Sequence, residues 1–98
     1  MGSWYEFCCT NCGFEARTSG RRDMGMSAIT QTIVCYDCRM LYDVMTGSWD
    51  FPLSPEETQR RLVCRKDAKH RVSVWNHPGP CPVCDTLLER GRQTAIWD

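Results

Sequence analysis

Cys9-Thr10-Asn11-Cys12-Gly13 and Cys35-Tyr36-Asp37-Cys38 decide how this chain is read. Two residues between cysteines let the backbone fold into a knuckle that aims both sulfurs at one point, at the roughly 2.3 Å thiolate–zinc distance. Gly13 suits the position after the second ligand, where the backbone commonly needs a positive φ that glycine adopts without a Cβ clash. Two such pairs in this order supply four thiolates, a far stronger signal than a lone C-x-x-C. The expected first site is therefore Cys9, Cys12, Cys35 and Cys38, holding one zinc ion.

The flanking residues support this. Residues 4–8, Trp-Tyr-Glu-Phe-Cys, read as a strand entering the first knuckle, and residues 14–18 as a short strand leaving it. Cys8 is spare, because Cys9 holds the C-x-x-C-G spacing. Residues 19–26 read as a glycine-bracketed loop containing Arg21 and Arg22. The β-branched run of residues 28–34 is the best strand in the chain and delivers it to Cys35, and residues 39–45 form the strand leaving the second knuckle.

Composition bounds the alternatives. A chain of 98 residues buries little surface, and its eight cysteines supply the staple that small domains need. Three C-x-x-C pairs, including Cys81-Pro82-Val83-Cys84, favour metal over disulfides, and the start has neither the basic nor the apolar stretch of a secretory signal. A reducing, cytoplasmic location is expected. With 12 basic and 12 acidic side chains the net charge is zero, so nothing global points to nucleic acid or an anionic membrane. No apolar run is long enough to span a bilayer.

Tyr5-Glu6-Phe7-x-Cys9-x-x-Cys12-Gly13 resembles the opening of small bacterial proteins of the zinc-ribbon superfamily, and Cys81-Pro82-Val83-Cys84 resembles the knuckle of rubredoxin-like ribbons. These resemblances imply a ribbon fold and a bound metal. The expected fold is small and mostly β: two zinc-ribbon-like β-hairpin modules with one short helix between them. The expected divisions are an N-terminal ribbon at 1–46, a linker and short helix at 47–61, and a C-terminal ribbon-like module at 62–98. Ser54-Pro55-Glu56-Glu57 starts the helix, with serine as cap, proline at the first helical position and Glu57 completing a capping box.

In the last third, Cys81 and Cys84 precede an expected hairpin turning at Arg90-Gly91. Their upstream partner is Cys64, with Asp67 standing where a second cysteine would complete the pair. Asp67, His70 and His77 are the candidates for a fourth ligand, and His70 is favoured because imidazole commonly joins three thiolates on zinc. The second site is thus expected at Cys64, His70, Cys81 and Cys84, for two zinc ions in all. A rubredoxin-like iron centre is not expected at this end, where the module holds only three cysteines.

Closed four-ligand sites hold no water or substrate, and the chain shows no nucleophile–base pair or phosphate-binding loop, so no enzymatic activity and no small-molecule substrate are expected. Nucleic acid is the first candidate partner: Arg60, Arg61, Arg65, Lys66, Lys69 and Arg71 form a basic segment over 60–71, with Trp75 and Trp97 as stacking platforms. A protein-binding adaptor is the alternative, through Met24, Met26, Met40, Met45 and Trp49. A thiol redox sensor releasing zinc is another, with Cys8 beside Cys9 as its hint.

Overall fold

The computed structural model describes residues 2–48 and 53–97, so Trp49 and residues 50–52 of the expected linker lie outside the described residues. The fold is mostly β, with one short helix and two antiparallel sheets. Strands β1 (Gly2–Cys8) and β2 (Glu15–Thr18) form the hairpin around the first knuckle, in register from Tyr5 opposite Thr18 to Cys8 opposite Glu15. Strand β3 (Asp23–Met24) lies inside the stretch expected to be a loop. Strands β4 (Ala28–Cys35) and β5 (Met40–Ser48) form the long hairpin around the second knuckle. Strand β5 therefore continues through residues 46–48, beyond the expected module boundary.

Helix α1 (Pro55–Arg61) starts as its sequence predicts. Ser54 is the cap and accepts a hydrogen bond from the Glu57 N–H at 3.2 Å. Glu56 and Glu57 lie in the first turn and Arg60 and Arg61 in the last, each complementing the helix dipole. None of its residues is buried.

The last two strands depart from the expected independent module. Strand β6 (Val72–Val74) pairs with β4, from Cys35 opposite Val72 to Ile33 opposite Val74. Because β5 occupies one edge of β4, β3 and β6 share the other, β3 beside Ile29 and Thr30 and β6 farther along. Strand β7 (Glu89–Trp97) does not turn at Arg90-Gly91; it runs straight through and pairs with β1, completing the sheet β2-β1-β7. Both sheets thus combine strands from the expected N-terminal and C-terminal modules.

The physical reason is edge satisfaction. A two-stranded hairpin is marginal alone, whereas a third strand pairs the open edge of β1. The register of β7 explains the misleading Arg90-Gly91 signal. Phe7 faces Arg90 while Tyr5 faces Gln93, so β7 carries an extra residue opposite Glu6, and another follows before Ala95 faces Trp4. Glycine inside a strand often marks such a bulge. A Cβ on Gly91 would stand 3.2 Å from the Glu6 carbonyl oxygen, so close approach of β1 explains the glycine.

The core joins these sheets. Phe7, Cys9, Val34, Leu41, Trp75, Cys81 and Leu88 form one buried cluster. Phe7 meets Trp75 edge to face, with ring centroids 5.4 Å apart. The Trp75 N–H groups bind the Thr32 carbonyl through the backbone (2.9 Å) and the Pro80 carbonyl through the indole (2.8 Å). A polar layer fixes the loops beside this core. The Asp43 carboxylate accepts from the Ser19 N–H and the Thr32 hydroxyl, and Thr32 in turn accepts from the Gly20 N–H. Gln31 donates to the Thr32 and Trp75 carbonyls and to the Asn76 side chain, tying β4 to the segment that follows β6.

Candidate metal centres

Three knuckles share one backbone design. In the first, the Cys9 N–H binds the Phe14 carbonyl, the Gly13 N–H returns to the Cys9 carbonyl, and Gly13 has φ +80°. In the last, the Cys81 N–H binds the Thr86 carbonyl, the Asp85 N–H returns to the Cys81 carbonyl, and Asp85 has φ 65°. In the middle one, Cys35 faces Met40 across the hairpin and Arg39 has φ 55°. The residue after each second cysteine is left-handed in all three. Glycine adopts that conformation freely and aspartate tolerates it, while at Arg39 the knuckle overrides the residue's own preference.

The fourth arm is built differently. The Asp67 carboxylate accepts from the Lys69 N–H at 2.9 Å and its carbonyl accepts from the His70 N–H at 3.0 Å. This turn brings His70 round towards Cys64. Immediately afterwards the Arg71 N–H binds the Asp37 carboxylate and the Tyr36 N–H binds the Arg71 carbonyl, so the chain enters β6 beside Cys35. The Arg71 N–H and guanidinium hold the Asp37 carboxyl below its ordinary pKa.

These arms assemble two compact groups: Cys9, Cys12, Cys81 and Cys84, and separately Cys35, Cys38, Cys64 and His70. Within each group all candidate ligand atoms lie within 4.8 Å of one another. Tetrahedral zinc with thiolates at 2.3 Å requires sulfur–sulfur separations of about 3.8 Å, and about 3.6 Å between sulfur and imidazole nitrogen. The Sγ atoms of Cys9 and Cys84 are 3.4 Å apart, and those of Cys12 and Cys81 3.6 Å. In the second group Cys38 and Cys64 are 3.6 Å apart, and His70 Nδ1 is 3.6 Å from Cys35 Sγ and 3.4 Å from Cys38 Sγ. Both donor sets have the size of a four-coordinate metal.

All eight sequence-selected residues are present, but their partnership differs from the expected one. Cys9 and Cys12 are joined to Cys81 and Cys84 rather than to Cys35 and Cys38, and Cys64 and His70 close on the middle knuckle. The arrangement is nested: the outer centre unites the first and last cysteine pairs and encloses the inner one. The long β4–β5 hairpin carries its knuckle away from the first, while pairing of Cys8 with Glu89 sets β7 beside Cys9 and returns the last knuckle to it. Cys81 and Cys84 therefore sit in a four-thiolate set, which the expectation of only three cysteines at this end had ruled out. A tetrahedral four-sulfur site suits zinc or iron.

The remaining candidates are placed clearly. Asp67 is not in either group; its carboxylate stands 3.9 Å from His70 Nε2, too far for a hydrogen bond, while His70 Nδ1 faces the sulfurs. His77 is away from both groups; its ring lies against Phe7 at 5.5 Å, and its Nδ1 is buried with no hydrogen-bond partner. Cys8 is outside both groups.

The surroundings stabilise thiolate charge at some of these sulfurs and oppose it at others. Backbone N–H groups point at sulfur from Cys38 to Cys35, from Lys66 to Cys64 and from Val83 to Cys81, at 3.3 to 3.4 Å. Hydrogen bonds from the Asn11 and Thr86 side chains bring the Cys84 thiol down to about 6. Burial opposes ionisation of Cys64, but the Asp67 and Lys66 N–H groups outweigh it and also bring that thiol to about 6. Burial pushes Cys35 the other way. Tyr42 is pushed up to about 12 by burial and by its hydrogen bond with Cys38, so it stays a phenol able to donate to that sulfur. Crowded sulfurs cannot all ionise against one another, and a divalent cation removes that conflict.

The ligand assignment predicts stoichiometry. His70→Ala removes one metal ion from a chain that otherwise carries two, whereas Asp67→Ala and His77→Ala retain both. Native mass spectrometry reads the result; two ions in His70→Ala would move the ligand role elsewhere.

Sequence reasoning missed the roles of Tyr42 and Asn11, whose signal lies only in three-dimensional proximity to the sulfurs. Among the described residues no helix is long and apolar enough to cross a membrane. Comparison of the chain with protein-family models, curated proteins and solved structures finds no match.

Proposed function

We propose that this chain is a non-enzymatic, zinc-ribbon-like binding module in which two structural zinc ions present a basic loop to nucleic acid. The carrying observation is the position of that loop: Arg65, Lys66 and Lys69 are exposed and lie between the ligands Cys64 and His70. A metal at this centre fixes both ends of the loop, so its cations are ordered before a partner arrives, which lowers the entropic cost of binding. Arg71 follows immediately, and Arg60 and Arg61 are exposed at the end of α1.

The aromatic part of this reading changes. Trp75 is 2 % exposed and belongs to the core, so it is no stacking platform. Trp97 is half-buried, with its indole N–H donating to Ser19 and its ring against Gly2. Tyr36, 50 % exposed on the middle knuckle, takes that place; its neighbour Asp37 pairs with Arg71 at 3.5 Å. Full sets of four protein ligands leave no position for substrate, which supports a structural role for both ions. Thiolate centres of this kind fit a reducing compartment such as the cytoplasm. A protein-binding alternative is favoured by exposed Met26 and Met45, at 75 % and 53 %.

Replacing Arg65, Lys66 and Lys69 together by alanine weakens binding about equally across sequences. It also lowers the salt slope by about 0.7 for each lost single-strand phosphate contact, roughly 2 in total. Fluorescence anisotropy of labelled oligonucleotides over a salt series checks this. Absence of binding by the wild type to single strands, duplex DNA and structured RNA at low salt would overturn the nucleic-acid reading and favour a protein partner.

A further inference from the structure

Between the two sheets, away from the sulfurs of the outer centre, a cavity of about 280 Å³ opens among β1, β2, β5 and the basic loop. Its lining includes Trp4, Arg17, Met40, Tyr42, Asp43 and Arg65. Three features give it a chemical preference. Trp4 is partly exposed, at 38 %, and supplies a flat aromatic wall. Arg17 reaches the cavity from β2 and Arg65 from the basic loop, and among the described residues neither guanidinium is held in an ion pair. Asp43 adds one negative charge, but its two oxygens are already committed to the Ser19 N–H and the Thr32 hydroxyl.

We propose that this inter-sheet cleft takes one base of a single-stranded nucleic acid against Trp4, with its flanking phosphates held by Arg17 and Arg65. The chemistry fits in each part. A base presents a π-face that stacks on an aromatic side chain whatever its identity, and phosphates on either side meet the two unpaired cations. Guanidinium groups suit phosphate because their donors form a fork matching two of its oxygens. The inference rests on the proposed function and deepens it, since Arg65 belongs both to the basic loop and to the cleft. It also assigns work to Trp4 and Arg17, which lie on β1 and β2 and which the basic segment does not include.

The test uses the intact two-metal protein and two probes of equal length, a labelled oligothymidylate and its abasic counterpart, which keeps the phosphates and lacks the bases. Trp4→Ala is expected to weaken binding of oligothymidylate about tenfold and leave the abasic strand unchanged, while Trp4→Phe restores most of the loss. Arg17→Ala lowers the salt slope for both probes by about 0.7. If Trp4→Ala does not fold, the wild type still answers: the Trp4 indole N–H resonance shifts on titration with oligothymidylate and not with the abasic strand. Equal binding of both probes by Trp4→Ala and wild type, or an unmoved Trp4 resonance, overturns the cleft. If the basic-loop triple variant has meanwhile weakened binding, the proposed function survives that failure. A wild type that binds neither probe overturns the cleft, and one that also binds neither duplex DNA nor structured RNA at low salt overturns both.

Discussion

Removing both metal ions at neutral pH under reducing conditions unfolds the chain, and a dispersed amide NMR spectrum collapses. A structural zinc contributes on the order of 10–16 kcal/mol of apparent free energy in small modules, against about 5–15 kcal/mol for the whole net stability of a typical domain. The core does not offset such a loss, because Cys9 and Cys81 are themselves members of its buried cluster. Without a cation the four sulfurs of the outer centre lose the bonds that hold the first and last knuckles together, two of them at the core. A spectrum that stays dispersed after chelation, with metal confirmed absent, would show that packing alone holds the fold.

The second large effect is directional. Replacing Cys12 and Cys84 by serine abolishes the outer centre, removes one metal and releases both ends of the chain. Strands β1, β2 and β7 then lose amide protection, because the outer metal is what joins the first and last knuckles. Strands β4, β5 and β6 keep theirs, since Cys35, Cys38, Cys64 and His70 are intact and β6 remains paired with β4. Sequential ligation would put Cys12 and Cys84 in different centres, so the same double variant would lose both metals and protection throughout, β4 and β5 included. Hydrogen exchange resolved by strand separates the two patterns. Loss of both metals, with loss of protection in β4 and β5, would contradict the nested arrangement.

The contrast shows where the sequence is informative. Spacing identified three knuckles, the residues able to ligate and the preference for His70 over Asp67, because each depends on chemistry within a few residues. The Ser54 cap was legible for the same reason. Partnership among cysteine pairs is not local. Four ligand pairs combine into two sites in three ways, and loop entropy hardly discriminates: closing Cys9 onto Cys81 instead of Cys35, a loop nearly three times as long, costs only about 1 kcal/mol more. Strand pairing made the choice, through β7 on β1 and β6 on β4. Arg90-Gly91 reads as a turn locally and becomes a bulge because β1 offered an open edge. Trp75 looks available for stacking, yet β6 carries it into the core, where Gly79 leaves room for the indole: a Cβ there would stand 2.7 Å from the ring.

The nested pairing is tested most directly by substituting an NMR-active cadmium isotope for both metals and correlating each cadmium signal with the cysteine β-protons coupled to it. Two signals are predicted. One correlates with Cys9, Cys12, Cys81 and Cys84, and the other with Cys35, Cys38 and Cys64 and with the His70 ring. A single cadmium coupled to Cys9, Cys12, Cys35 and Cys38 together would contradict the account.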